Sequence, residues 1–372
     1  MRSTPGRRAP QARIIALLVG SLTACAFSAD AAETWSNALM RRGVDPALVE
    51  NPIALTPEIA AAAEAITGRG GAGIDELESI QAAILDRSRF TFVYDERLTE
   101  TASAALASGR GNCVAFTNLF IAMARSRGLR VKAGYMTPRS LGERRGDLIY
   151  VATHVAAVYR LHERNVVFDF YESRQDPATP LRILDDLELA ALYVNNRAVE
   201  ALSNGDSKLA ESLLNAAVKL APKFAGAHGN LGLVRKRRGD VAGALDAYRE
   251  ALALDPRDPA ILGNLAALYA GIGRDREART ALALADPGRA TPYTYLARGD
   301  LEAVDGHASR ALRLYRRAAR LDPRIPDPHV ALARLALSSG DSDEARREAE
   351  RAAALDPANE DARDILRRLA SR

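Results

Sequence analysis

Three residues of this chain, Cys113, His154 and Asp169, have the types and the order that a covalent acyl-transfer site requires. A thiol supplies the nucleophile, an imidazole takes and returns its proton, and a carboxylate orients the imidazole. The chemistry indicated is attack on an amide or ester carbonyl to give a thioester, which water or an amine then releases. Hydrolysis and amine transfer both stay open because they use the same three side chains.

Cys113 is predicted to lie in the first turn of a helix. Asn112 is a favourable N-cap, apolar residues recur at helical spacing as far as Arg127, and Gly128 ends the pattern. A thiol near the positive end of a helix dipole is favoured as the nucleophilic thiolate. The Cys113 backbone N–H would stabilise the developing oxyanion. For Asn112 we favour capping alone over a direct role in the chemistry.

Three strands are predicted after this helix, over residues 130–136, 149–159 and 166–171. His154 would lie mid-way along the second strand and Asp169 in the third. A hairpin with a four-residue loop at 160–163 would place the two residues directly opposite each other. A lone histidine in a strand is usually structural, and a lone aspartate suits a turn or an ion pair. The combination points to a site because an acid buried in an apolar strand needs a partner.

The run Gly111-Asn112-Cys113-Val114-Ala115-Phe116, with the helix after it and the two strands bearing His154 and Asp169, resembles the bacterial transglutaminase-like cysteine domain. The resemblance covers roughly residues 75–175. It implies a papain-like α+β core with Cys113 as nucleophile, His154 as general base and acid, and Asp169 as the orienting residue. Because the family also contains inactive members, a non-catalytic copy is the alternative.

Two departures from the family pattern concern the substrate pocket more than the triad. Residues 155–157 lack the aromatic side chain that often follows the family's histidine. Phe170-Tyr171 stands where a proline-containing stretch often follows its aspartate.

The chain becomes periodic from about residue 188. Glycines mark the turns inside successive units at steps of 33 or 34 residues: Gly205, Gly239, Gly273, Gly306 and Gly340. Prolines mark the ends of units: Pro222, Pro256, Pro323 and Pro357. A 34-residue helix–turn–helix period resembles the tetratricopeptide repeat (TPR). We expect about five units over 188–372, with 361–370 as a capping helix and a third unit that ends early at Asp286-Pro287. The predicted fold class is an α+β papain-like, transglutaminase-like domain over 51–185 followed by an all-α TPR solenoid.

The repeats predict a protein or peptide partner. Asn196, Asn230 and Asn264 recur at steps of 34, in a column that tends to line the concave groove of this repeat. These side chains would hydrogen-bond an extended peptide; the equal alternative is that asparagine simply suits that helix position. The histidines of the repeats show no metal-ligand spacing. We predict no metal, no nucleotide and no organic cofactor.

Residues 1–24 are predicted to be a secretion signal. A basic stretch precedes the apolar run 14–19, and Leu22-Thr23-Ala24-Cys25 resembles the bacterial lipobox, which implies acylation of Cys25. Ala26 after it favours an outer-membrane lipoprotein facing the periplasm. The alternative is an ordinary signal cut within 29–32, which gives a soluble periplasmic protein. Residues 25–50 form a separate N-terminal segment.

Charge and cysteine content fit this interpretation. The formal charge of +4 falls to zero without the four leader arginines, which argues against a nucleic-acid partner. The chain has two cysteines, so lipidation of Cys25 would leave Cys113 unable to form an internal disulfide. A lone thiol in an oxidising compartment suggests that the thiol has a chemical function. If Cys113 is considered without its neighbouring residues, a buried and inert cysteine is the simpler interpretation.

Two classes of function follow. The first is a lipid-anchored periplasmic cysteine hydrolase or acyl-transferase whose repeats present a protein or peptide substrate. The second is a non-catalytic TPR adaptor that carries an inactive transglutaminase-like domain. A cell-wall peptidase of another Cys-His type is a weaker option, because aspartate rather than Asn112 would usually precede its nucleophile.

Overall fold

The computed structural model describes residues 27–68, 73–86, 92–95, 97–136, 142–145, 148–151, 154–170 and 180–371. The predicted leader and Cys25 lie outside these residues. Among the described helices, none is both long enough and apolar enough to cross a membrane.

Five helices lie in the first part of the described chain: α1 (Phe27–Arg41), α2 (Pro57–Thr67), α3 (Ile74–Leu85), α4 (Ala102–Ser108) and α5 (Cys113–Ser126). Helix α2 starts at a favourable Pro after Thr56, whose hydroxyl accepts from the Ile59 N–H at 3.3 Å. Helix α3 has Gly73 as its N-cap, and Asp75 lies inside the first turn, where its carboxylate faces the positive end of the helix.

The described residues also form eight short strands: β1 (Val93–Tyr94), β2 (Arg110–Gly111), β3 (Val131–Met136), β4 (Gly142–Arg145), β5 (Leu148–Val151), β6 (His154–Leu161), β7 (Arg164–Phe168) and β8 (Leu181–Leu184). The main sheet has four antiparallel strands in the order β7-β6-β3-β8. Strands β1 and β2 form a short parallel pair, and β4 and β5 form a separate hairpin.

The second predicted strand, 149–159, is divided in the structure. Residues 148–151 pair with 142–145 in the β4–β5 hairpin. Pairing with the main sheet begins only at His154. His154 pairs with Met136, the last residue of β3, so it begins β6 rather than lying mid-way along a strand. The division arises because a local hairpin supplies the backbone partners of 148–151.

The predicted hairpin register is also wrong, by two residues. Leu161 pairs with Arg164, which leaves a two-residue turn at His162 and Glu163 instead of the predicted four-residue loop. His162 takes the left-handed backbone conformation, with φ of 54°, that tight hairpin turns demand. A shift of two residues keeps every side chain on its original face, because strand side chains alternate with a period of two.

Helix α5 is the centre of the core. Every residue from Cys113 to Ala124 is buried, because α5 packs against α2, α3 and α4 on its outer sides and against the sheet. The ring of Phe120 contacts those of Phe168 and Phe170, with centroids 4.9 and 5.4 Å away. The packing of the apolar residues of α5 therefore fixes the position of Cys113, its first residue.

Replacing Phe120 by alanine is expected to lower the free energy of unfolding by about 3–5 kcal/mol, the range for deleting a buried aromatic ring. Urea titration followed by circular dichroism measures the loss. Leu85→Ala, at a side chain that is 51% exposed at the end of α3, is the matched control and should change stability by less than about 0.5 kcal/mol. Equal losses in the two variants would contradict this account of the core.

The remainder of the described chain is helical: α6 (Asp186–Ser203), α7 (Ser207–Leu220), α8 (Ala225–Arg237), α9 (Val241–Leu254), α10 (Pro259–Gly271), α11 (Asp275–Leu284), α12 (Pro292–Val304), α13 (Ala308–Leu321), α14 (Asp327–Ser338), α15 (Ser342–Leu355) and α16 (Glu360–Ala370). Helices α6 to α15 form five successive pairs, and α16 follows as the last helix. The short α11 and a 3₁₀ turn at Pro287–Arg289 produce the early end of the third unit.

The glycines predicted as turns join the two helices of each pair. All five have φ between 75° and 87°, a conformation that costs glycine little and other residues much. Within the second pair, a Cβ on Gly232 would lie 2.8 Å from the ring of Tyr248; within the fourth, one on Gly299 would lie 2.4 Å from Tyr315. Glycine at this repeat position lets a tyrosine of the second helix pack against the first.

The two parts of the fold share one apolar core. A single buried cluster extends from Leu39 in α1 through α5 and the sheet to Ala247 in α9. Helix α6 contributes most to the junction: residues 189–195 are buried without interruption, and Tyr193 donates its hydroxyl to Glu50 Oε1 at 2.5 Å. Arg125 of α5 binds the Asp186 carboxylate at the start of α6 through two nitrogens, at 2.7 and 2.8 Å.

Candidate active site

The first turn of α5 presents Cys113. Asn112 is the N-cap, with extended backbone angles, and its Oδ1 accepts from the N–H groups of Val114 at 3.0 Å and Ala115 at 3.1 Å. Cys113 is the first helical residue, as the sequence predicts, and its side chain lies close to the surface of the core with 8% exposure. The Val114 and Ala115 N–H groups are occupied by Asn112, which removes them as oxyanion donors.

Gly111, two residues before Cys113, packs so closely against α5 that only glycine fits there. A Cβ on Gly111 would lie 2.4 Å from the Cβ of Ala115 on the next helical turn. Gly111 is also held from outside, since its carbonyl accepts from the Asp95 N–H at 3.0 Å beside the β1–β2 pair. The glycine therefore sets the angle at which strand β2 turns into helix α5.

The side chains of His154 and Asp169 meet where β6 begins and just beyond Phe168, the last residue of β7. Nε2 of His154 lies 2.7 Å from Oδ1 of Asp169, and the two side chains are 12% and 19% exposed. Continuing the β6–β7 register would pair Asp169 with Ala156, so His154 and Asp169 are diagonal neighbours on one face. The contact that the sequence predicts is present although the predicted register is not.

His154 also hydrogen-bonds the Cys113 side chain, which brings the three predicted residues together. Burial by itself lowers the pKa of His154. The hydrogen bonds to Asp169 and Cys113, with the attraction of their charges, outweigh burial and raise its pKa to about 9. Since Nε2 faces Asp169, Nδ1 is the ring nitrogen left to exchange a proton with the thiol.

A glutamine that the sequence does not single out holds the backbone of Asp169. Nε2 of Gln81, on α3, donates to the Asp169 carbonyl at 2.9 Å. The next residue, Phe170, is buried against the rings of Phe116 and Phe120. The aspartate is thus fixed from both sides. No signal in the sequence could have shown the contact of Gln81, because 88 residues separate the two partners.

The predicted asparagine column lies on the first helices of the first three pairs. Asn196 is on α6, Asn230 on α8 and Asn264, which is buried, on α10. Nδ2 of Asn230 donates to Oδ1 of Asn195 at 2.9 Å, and Asn195 donates to Asn196 Oδ1 at 3.4 Å. The bond between Asn230 and Asn195 joins the first two repeats, and binding of a peptide by the asparagine column stays a prediction.

Within the described residues, no group of three or more His, Cys, Asp or Glu side chains is arranged to hold a metal ion.

Comparison with family models decides the nature of both parts. The model of the transglutaminase-like superfamily matches residues 60–141, and tetratricopeptide repeat models match 195–259, 237–301 and 305–369. This chain carries a transglutaminase-like domain followed by TPR repeats. The transglutaminase-like match includes Cys113, whereas His154 and Asp169 lie beyond its end.

Solved structures similar to this chain cover about half of it. A thermophilic TPR protein of Thermus thermophilus is 25% identical over 49% of this chain and 97% of its own, with a TM-score of 0.43. Pseudomonas aeruginosa pilF is 22% identical over 50% of this chain and 86% of its own, with a TM-score of 0.44. No curated protein matches the sequence.

Proposed function

We propose that this protein is a cysteine hydrolase or acyl-transferase that acts on amide bonds of a protein or peptide through Cys113, His154 and Asp169. The observation that supports it most strongly is the position of His154, which hydrogen-bonds both the Asp169 carboxylate and the Cys113 thiol. A nucleophile, a base and an orienting group in mutual contact form a unit that general protein stability does not require.

In the reactive form the proton of the Cys113 thiol lies on Nδ1 of His154, because a pKa of about 9 keeps the imidazolium at neutral pH. The sulfur attacks the substrate carbonyl carbon, and the developing oxyanion is stabilised by the Cys113 backbone N–H at the positive end of α5. As the C–N bond breaks, the His154 imidazolium protonates the leaving amine. The products of this half-reaction are a free amine and a thioester on Cys113.

The second half-reaction regenerates the thiolate. Water or a second amine attacks the thioester carbonyl while neutral His154 removes its proton, and Cys113 leaves as the thiolate. Asp169 keeps the imidazole in one orientation through both halves and stabilises its protonated form. Water gives hydrolysis and an amine gives acyl transfer; the proposal includes both outcomes.

The TPR repeats would hold the protein or peptide substrate, or a protein partner, in their groove. Such arrays act as interaction surfaces because stacked helix pairs form an extended concave face. We place the protein in the bacterial envelope, anchored through Cys25 as an outer-membrane lipoprotein that faces the periplasm, on the strength of the lipobox-like segment 22–25. A soluble periplasmic protein is the alternative.

An activated ester tests the nucleophile without knowledge of the natural substrate. In a Cys25→Ser background, Cys113 is the only thiol. We expect p-nitrophenyl acetate to release about one equivalent of nitrophenolate in a burst, and mass spectrometry to locate an acetyl group on the peptide that contains Cys113. Cys113→Ala in the same background is the control. A folded protein that shows no burst and no acetylated Cys113 would support the non-catalytic TPR adaptor instead.

A further inference from the structure

A continuous series of hydrogen bonds connects the first repeat helix to the turn that carries Cys113. Glu200 of α6 accepts from the Thr99 backbone N–H through Oε1 at 2.8 Å. Thr99 Oγ1 accepts from Asn112 Nδ2 at 2.7 Å. The other end of that amide, Oδ1, caps the first turn of α5. The contact between Glu200 and Thr99 joins residues 101 positions apart.

Residues 98–100, which lie between α6 and the start of α5 in space, are held by several hydrogen bonds. Thr99 is 1% exposed and Asn112 is 6% exposed. The Leu98 carbonyl accepts from the Asn112 N–H at 2.9 Å, and the Glu100 carbonyl accepts from Asn118 Nδ2 at 3.0 Å. Breaking one of these bonds would leave a buried polar group without its partner, which costs more than the bond itself contributes.

The Glu200 carboxylate is the acceptor at the start of this series. A charged acceptor gives a backbone N–H a stronger hydrogen bond than a neutral one does. Its second oxygen, Oε2, lies 3.4 Å from Nε of Arg197, one turn earlier on α6. Removing Arg197 therefore disturbs the ion pair of Glu200 but leaves its contact with Thr99, which provides a matched comparison.

We propose that Glu200, a residue of the repeat array, is a positioning residue for the nucleophile Cys113. It fixes Thr99, Thr99 fixes the orientation of the Asn112 amide, and Asn112 fixes the first turn of α5, where the thiol and the oxyanion-binding N–H must be placed to within a fraction of an ångström. The inference rests on the proposed function and adds to it: the first TPR helix is part of the reactive unit.

The test measures the acylation rate of Cys113 by p-nitrophenyl acetate in the full Cys25→Ser chain. Glu200→Ala should lower the rate about fivefold, the scale of one lost hydrogen bond to a buried group. Glu200→Gln keeps a side-chain oxygen acceptor and should restore the rate to within about twofold of the unsubstituted background. Arg197→Ala should leave the rate unchanged.

A second pair of variants tests the middle of the series. Thr99→Val keeps the shape of the side chain but removes the oxygen that accepts from Asn112, and should lower the rate at least as much as Glu200→Ala. Thr99→Ser keeps the oxygen and should react like the background chain. Urea titration of every variant separates positioning from stability, because a purely structural role lowers the unfolding free energy and leaves the rate constant of the folded protein unchanged.

The outcomes distinguish the two proposals. Acylation of the background chain together with equal rates for folded Glu200→Ala would overturn the inference alone. If Glu200→Ala does not fold, equal rates for Thr99→Val and Thr99→Ser would overturn it in the same way. A background chain whose Cys113 is not acylated at all would overturn the proposed function, and with it the positioning role of Glu200.

Discussion

His154→Ala is expected to slow acylation of Cys113 by p-nitrophenyl acetate at neutral pH by about 10²-fold or more, the scale of general acid–base catalysis by one positioned group. The reason is that the His154 imidazolium holds the thiol proton and so keeps the sulfur in the nucleophilic thiolate form, a form that is no longer favoured once the ring is removed. Rates of nitrophenolate release in the Cys25→Ser background measure the effect, because Cys113 is then the only thiol.

The matched control is a second histidine of the chain. His162 lies in the exposed turn between β6 and β7, so His162→Ala alters the same hairpin without touching the site and should leave the rate unchanged. Circular dichroism confirms that both variants fold. Equal acylation rates for His154→Ala and the background chain would show that the thiol reacts without help from the imidazole.

Asp169→Asn is expected to lower the pKa of His154 from about 9 toward its ordinary value near 6.5, because the hydrogen bond and charge of Asp169 help to raise it. With Asp169 present, the imidazolium persists until the pH rises through about 9. Without the carboxylate, the proton is lost at lower pH, and proton donation to the leaving group fails there. Titration of the ring protons of His154 by NMR, in both proteins, measures the shift directly.

The exposed pair of His307 and Glu302 is the control for this titration. Their Nδ1 and Oε2 atoms lie 2.8 Å apart, far along the chain from the site, so Asp169→Asn should leave the ring-proton signals of His307 at a given pH in place. An unchanged pKa for His154 in the variant would contradict the role given to Asp169.

The helical parts of this fold were predictable from the sequence because their signals are local. Asn112 caps α5 as its residue type and position indicate, and each turn glycine of the repeats, such as Gly205, adopts a positive φ. Helix caps and turns depend on a few adjacent residues, so spacing alone identifies them. The 34-residue period then extends one such prediction to the whole array.

The sheet was predicted less well because strand pairing is not local. The alternation of side chains along the strands predicted that His154 and Asp169 lie on the same face of the sheet, and this is confirmed. The register was wrong because a two-residue turn at His162 and a four-residue loop are both compatible with the same alternation. The β4–β5 hairpin was missed because residues 148–151 read as a continuation of the next strand.

Contacts between the two parts of the chain could not be predicted at all. In the sequence, Glu200 has the pattern of a polar surface residue on a repeat helix, and Thr99 belongs to no motif. Only the packing of α6 against the transglutaminase-like domain brings them within 2.8 Å. The chain separation of such partners leaves no periodicity or motif in a single sequence.

A double-mutant cycle tests most directly the claim that Cys113, His154 and Asp169 work as one unit. The acylation rates of the background chain, His154→Ala, Asp169→Asn and the double variant are compared in folded proteins. Because Asp169 acts only through His154, we predict that Asp169→Asn slows the background chain but causes no further loss once His154 is absent. Losses that multiply in the double variant, or single variants as fast as the background chain, would contradict the account.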